Sequence, residues 1–147
     1  MNDLRTEHAE REAEHWAEFE AKLARIPLER WEEPGVVPDW TVKELVWHVA
    51  GWIDECSQHL EKMRTGEPEV HEDDDEDTDV RNEAFASQAR EMTTDVVRAG
   101  LLASREMVRT RWSELPDVTD TAIEWFASET YQHYKEHLAD LESFASA

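Results

Sequence analysis

Residues 40–66 read WTVKELVWHVAGWIDECSQHLEKMRTG and carry the clearest helix signals in the chain. Thr41 and Glu44 have the spacing of a capping box, in which the hydroxyl accepts from the amide three residues on and the carboxylate reaches back. Apolar residues then recur at helical spacing, and Gly66 followed by Pro68 is typical of a helix end. The stretch therefore predicts a long amphipathic helix that begins after Thr41 and ends near Gly66.

Two more helical regions flank this one. Residues 3–26 have apolar residues on one helical face, and Asn2 or Asp3 can cap the free amides. Prolines and a glycine in residues 27–38 predict an irregular connection. Downstream, residues 80–115 form a long helical region, in which residues 92–95 are either a local break or a second helix start. Its apolar positions are Phe85, Met92, Val96, Leu101, Leu102, Met107, Val108 and Trp112.

A last helix begins after Thr119 or Asp120 and reaches nearly to the C-terminus. Its inward stripe comprises Ile123, Phe126, Thr130, His133, Tyr134, His137, Leu138 and Leu141. Four long helices with few glycines and no strand pattern predict an all-α fold, a four-helix bundle. The length of 147 residues suits a single domain over residues 1–147.

The segment 67–79, EPEVHEDDDEDTD, has nine acidic residues among 13. Like charges at this density resist compaction, so the segment is interpreted as a solvated, mobile acidic loop that links two helices. It lacks the ordered spacing and central glycine of a calcium loop.

Charge and composition exclude several classes of function. The 15 Lys and Arg residues against 36 Asp and Glu give a net charge of −21, which opposes binding to nucleic acid or to an anionic membrane surface. No apolar stretch is long enough to span a membrane, and the N-terminal residues lack a signal-peptide core. We therefore expect a cytoplasmic protein. Cys56 is the single cysteine, which excludes an internal disulfide.

Three histidines offer the most informative chemistry. His133 and His137 are four residues apart on the apolar stripe of the last helix, so one turn separates two imidazoles on one face. His48 has apolar neighbours on the second helix, and in a bundle it can meet that pair. Three neutral imidazoles suit zinc, nickel or a similar divalent ion and leave an open position. The alternatives are a half-exposed surface pair and a core histidine bonded to a backbone carbonyl.

The other histidines lack such a pattern. His8 and His15 share a face of the first helix, but their surroundings are strongly acidic and predict a solvated face. His59 and His71 have no partner at ligand spacing, and His71 is expected to be exposed in the acidic loop.

Residues 34–52, PGVVPDWTVKELVWHVAGW, and residues 129–141, ETYQHYKEHLADL, together resemble the DinB/YfiT-like superfamily. The shared pattern is a tryptophan and a capping Ser or Thr, a histidine in the second helix, and His-x-x-x-His in the last helix. The resemblance implies a four-helix bundle that binds one divalent metal through His48, His133 and His137. It also implies a homodimer.

The resemblance further implies a metal-dependent thiol S-transferase, in which a metal-activated thiolate of a low-molecular-weight thiol attacks a small electrophile. A hydrolase that uses metal-bound water is one alternative, and a non-enzymatic stress protein that binds a small molecule or metal is another. Cys56 has no basic neighbour and is not expected to be the nucleophile. The residues expected to line the substrate pocket are Trp52, Asn82, Thr130 and Tyr134.

Overall fold

The computed structural model describes residues 3–71 and 77–147, and in these residues the protein is all-α apart from one small hairpin, as predicted. A 3-10 turn at Leu28–Arg30 and the strands β1 (Pro34–Val37) and β2 (Trp40–Thr41) separate the first two helices. The α-helices are α1 (Leu4–Ala24), α2 (Val42–Arg64), α3 (Thr78–Arg90), α4 (Thr94–Glu114), α5 (Asp120–Glu129), α6 (Tyr131–Glu136) and α7 (Leu138–Ser146).

The helix starts follow the predicted capping chemistry. At α2, the Glu44 amide donates to Thr41 Oγ1 over 3.1 Å, and the Thr41 amide donates to the Glu44 carboxylate over 3.2 Å. At α1, the Asp3 side chain accepts from the Arg5 amide, whereas Asn2 lies outside the described residues. These caps satisfy amides that have no partner inside the helix.

The bundle is built from α1, α2, α4 and the α5–α7 segment. Helix α2 packs against α3, α4 and α5, while α1 packs against α6 and α7. Its largest fully buried side chains include Trp112, Trp125, Tyr134, Phe19 and Phe126. None of the helices in the described residues is long and apolar enough to cross a membrane.

The region 80–115 is divided between two helices, α3 and α4. Of the two alternatives for residues 92–95, a local break or a second helix start, the second helix start is therefore correct. Thr93 caps α4 by accepting from the Val96 amide. Three of the apolar positions named for this region, Val96, Leu102 and Met107, are exposed and do not belong to the buried face. The buried stripe of α4 runs instead through Val97, Leu101, Ser104, Val108 and Trp112, so the other three lie off its inward face.

The last helix is not continuous, which corrects the predicted single helix. Thr119 caps α5 by accepting from the Ala122 amide, as predicted. Thr130 then leaves helical geometry, with φ −112° and ψ −97°, and His137 marks a second interruption between α6 and α7. The apolar periodicity continues across both interruptions, so no local pattern in the sequence marks them.

The two irregular segments are more ordered than the sequence indicated. Residues 34–41 form an antiparallel hairpin that turns at Asp39, whose φ is 71°. Residues 67–71 are irregular, as expected, but they lie against α5: Trp125 Nε1 donates to the Val70 carbonyl over 2.6 Å, and Thr119 Oγ1 donates to Glu69 over 2.8 Å. Residues 72–76 of the predicted mobile loop lie outside the described residues.

Candidate metal centre

The fold brings His48, His133 and His137 together in a buried cluster. One nitrogen from each ring lies within 4.8 Å of the other two, and all three side chains are buried. The Nε2 atoms of His48 and His133 are 3.0 Å apart, and the His48 and His137 ring centroids are 5.6 Å apart. Two nitrogens that bind one ion at about 2.0–2.1 Å stand roughly 3 Å apart, so the observed spacing fits a shared ion.

Separate elements supply the three rings. His48 lies on the buried face of α2, His133 lies in the short α6, and His137 lies at the junction of α6 and α7. His133 and His137 are one helical turn apart, so both rings lie on the side that faces α2, with their centroids 5.0 Å apart.

A carboxylate fixes the orientation of the His137 ring. His137 Nδ1 lies 3.2 Å from Asp140 Oδ2. An ionised carboxylate only accepts hydrogen bonds, so Nδ1 is the donor, and the neutral tautomer with its proton on Nδ1 has a lone pair on Nε2. That Nε2 atom is buried and has no hydrogen-bond partner among the described residues. A buried polar atom without a partner is costly, and a metal ion would satisfy it.

Burial favours the neutral form of two of the three rings, those of His48 and His133. Burial, followed by the neighbouring His137, lowers the pKa of His48 to about 4. Burial, followed by the neighbouring His48 and His137, lowers the pKa of His133 well below its usual value. A metal binds the unprotonated nitrogen of a neutral imidazole, so the donor set fits a divalent ion.

Two of the four predicted pocket residues lie together near this cluster. Trp52 Nε1 donates to Asn82 Oδ1 over 2.7 Å, and the Asn82 side chain lies close enough to His48 to oppose the lowering of its pKa. Trp40 was not predicted here; its ring lies 4.9 Å from the His48 ring. The β-hairpin places Trp40 at this position, and the sequence predicted only an irregular connection there.

The other two predicted pocket residues make their contacts elsewhere. The Tyr134 hydroxyl donates to Glu12 on α1 over 2.8 Å, and its ring stacks on Phe19. Thr130 Oγ1 donates to the Phe126 carbonyl one turn back in α5. Helical spacing had placed Thr130 and Tyr134 on the same stripe as His133 and His137, but the chain leaves helical geometry at Thr130 and the stripe does not continue unbroken.

Two of the remaining histidines, His8 and His15, differ from their predicted setting. His8 and His15 do not lie on a solvated face: His8 is buried, with Nδ1 2.9 Å from the Tyr131 hydroxyl, and the half-buried His15 stacks on the same tyrosine ring. The reason is that α6 packs on this face of α1. His59 stacks on Trp125 with centroids 4.0 Å apart, and His71 is exposed, as expected.

Asp140, like Trp40, contacts the cluster and was not predicted from the sequence. It follows His137 by three residues, so the signal was one more turn of the same helical face. Carboxylate partners of this kind orient metal-binding imidazoles in many proteins.

An all-α bundle that carries this histidine cluster defines a DinB-like domain. The family model for the mycothiol maleylpyruvate isomerase N-terminal domain matches residues 13–133, and the chain belongs to that family. The match ends at His133, so His137 and Asp140 lie just beyond it. Comparisons with curated proteins and with solved structures give no significant match.

Proposed function

We propose that His48, His133 and His137 bind one divalent metal ion, zinc or nickel, and that the protein is a metal-dependent thiol S-transferase acting on a small electrophile. The observation that supports this most strongly is the convergence of three buried imidazoles, one of which has an unpaired Nε2. When bound, the ion would lower the pKa of a low-molecular-weight thiol and so supply a thiolate at neutral pH.

The chain supports this chemistry by keeping two of the proposed ligands, His48 and His133, uncharged. His48 and His133 have lowered pKa values, so neither ring carries a proton that competes for the site at neutral pH. Asp140 lies behind His137, where it orients the ring and leaves the three nitrogens facing one another. None of the three proposed ligands is a carboxylate, so they would not neutralise the positive charge of the ion. That charge would remain to attract an anionic ligand such as a thiolate.

Trp52 and Asn82 are the residues that we expect to meet the electrophile. The indole N–H is a donor only, so it fixes the Asn82 oxygen toward Trp52 and leaves the amide NH₂ as a donor for a polar substrate group. Trp40 supplies an aromatic wall beside His48. Cys56 is fully buried, which favours an external thiol over a protein nucleophile.

The test combines metal loading with a two-substrate assay. Wild-type protein loaded with zinc or nickel is mixed with an electrophile such as monochlorobimane and with a panel of thiols that includes mycothiol. Conjugation above the spontaneous rate, lost in His48→Ala and retained in His71→Ala, would support the proposal. His71 is the matched control because it is an exposed histidine away from the cluster.

Other outcomes of the same assay favour the alternatives. Hydrolysis of an ester probe that needs the metal but no thiol would indicate a hydrolase. Stoichiometric metal with no turnover in either assay would indicate a metal-binding protein without this activity. The homodimer is also part of the proposal, and light scattering on the metal-loaded protein would test it.

A further inference from the structure

Helix α6 carries His133 and packs against both α1 and its neighbour along the chain, α5. It has six residues and lies between the interruption at Thr130 and the one at His137. A helix this short is unstable alone, so contacts with other elements must fix its position. Those contacts decide where His133 stands relative to His48.

Two hydrogen bonds tie α6 to α1. The Tyr134 hydroxyl donates to Glu12 Oε2 over 2.8 Å, and the Tyr131 hydroxyl lies 2.9 Å from His8 Nδ1. The two tyrosines stand one residue after and two residues before His133. Residues one and two positions apart on a helix point in different directions, so the tyrosines face α1 while His133 faces α2.

Glu12, which accepts the Tyr134 hydrogen bond on α1, is itself fixed by contacts with another helix. Glu12 has no exposed surface, and its carboxylate accepts two hydrogen bonds from Arg105, at 2.9 and 2.8 Å, and one from Arg109, at 2.6 Å. Both arginines lie on α4, so Glu12 joins α1 to a second long helix.

We propose that Tyr134 and Tyr131 are positioning residues for the metal centre, through which α1 sets the place of His133. The inference rests on the proposed metal binding. The two tyrosine contacts lie on the side of α6 that faces away from the histidine cluster. Through them, the metal affinity of the cluster depends on the position of α1.

The variant Tyr134→Phe tests this with little other disturbance. It keeps the ring that packs on Phe19, and Glu12 keeps its three bonds from the arginines. We expect the affinity for Zn²⁺, measured by competition with a chromophoric chelator, to fall about three- to tenfold, the range given by one buried hydrogen bond. We also expect the d–d spectrum of the Co²⁺-loaded protein to change. Tyr131→Phe tests the hydrogen bond between Tyr131 and His8 by the same measurements, and it replaces Tyr134→Phe if that variant does not fold.

Ser104→Ala is the matched control, because it removes a buried hydroxyl from α4 rather than from α6. A purely structural role would lower the stability of the metal-free protein in both kinds of variant and leave affinity and Co²⁺ spectrum unchanged in both. Wild-type affinity and spectrum in the tyrosine variants would overturn the inference while leaving the proposed metal site standing. Failure of the wild-type protein to bind Zn²⁺ or Co²⁺ would overturn the proposed site and the inference with it.

Discussion

His48 Nε2 and His133 Nε2 lie 3.0 Å apart, although 85 positions separate these residues in the chain. Two neutral imidazoles at this distance can form one hydrogen bond with each other through a single proton. That hydrogen bond leaves Nε2 of His137 without a partner among the described residues. One divalent ion would satisfy all three nitrogens. The relationship between α2 and α6 is therefore the basis of the proposed site.

Removing the charge of Asp140 should weaken the site without unfolding the protein. Asp140→Asn leaves His137 without its carboxylate acceptor, and the loss of such a partner typically costs at least tenfold in metal affinity. The Asp140 side chain is 39% exposed, so we expect the free energy of unfolding to change by less than about 0.5 kcal/mol. Competition with a chelator measures the affinity. Glu136→Gln, an exposed carboxylate in α6, is the control, and equal affinities for the two variants would contradict the role of Asp140.

The metal-free protein should lose stability as the pH falls below the unfolded pKa of histidine. The pKa of His48 is about 4 in the fold and about 6.5 in the unfolded chain, so between these values the unfolded chain binds more protons. The contribution of neutral His48 is complete above about pH 6.5 and decreases toward pH 4. Between pH 7 and pH 5 the expected loss from His48 is about 2 kcal/mol.

Urea unfolding at the two pH values in the presence of a chelator measures that loss. In His48→Gln the contribution of this ring is absent, so the pH dependence should become shallower by the same amount. An unchanged pH dependence in the variant would show that His48 does not titrate as described.

The buried carboxylate of Glu12 should be among the most sensitive positions on α1. Glu12→Gln leaves Arg105 and Arg109 without their common anion, and breaking a buried ion pair from one side costs about 3 kcal/mol. Chemical denaturation checks this, with the exposed Glu10→Gln as a control that should change stability by less than about 0.5 kcal/mol. A change in the free energy of unfolding as small as that of the control would mean that solvent screens the charges of Glu12, Arg105 and Arg109.

The sequence predicted those features that depend on neighbouring residues. The capping box at Thr41 and the caps at Asp3 and Thr119 depend on residues a few positions apart, so local chemistry was enough to find them. The one-turn spacing of His133 and His137 indicated only that a histidine of the second helix could meet this pair, and the resemblance to the DinB/YfiT-like superfamily implied that this histidine is His48.

The features that the sequence did not indicate depend on tertiary packing. The interruption at Thr130 keeps the apolar periodicity, so no local signal marks it. Glu12 is one of several acidic residues on α1 and differs from them only because Arg105 and Arg109 meet it in the fold. His8 is buried for the same kind of reason, since Tyr131 comes to it from a distant helix.

The metal content of the purified protein tests the proposed site most directly. After loading with zinc or nickel and removal of free ions, elemental analysis should give about one ion per chain for wild type and for His71→Ala. His48→Ala, His133→Ala and His137→Ala should each lose it while remaining helical by circular dichroism. A wild-type protein that retains no stoichiometric metal, or single-histidine variants that retain it fully, would contradict the assignment of these three side chains as the metal centre.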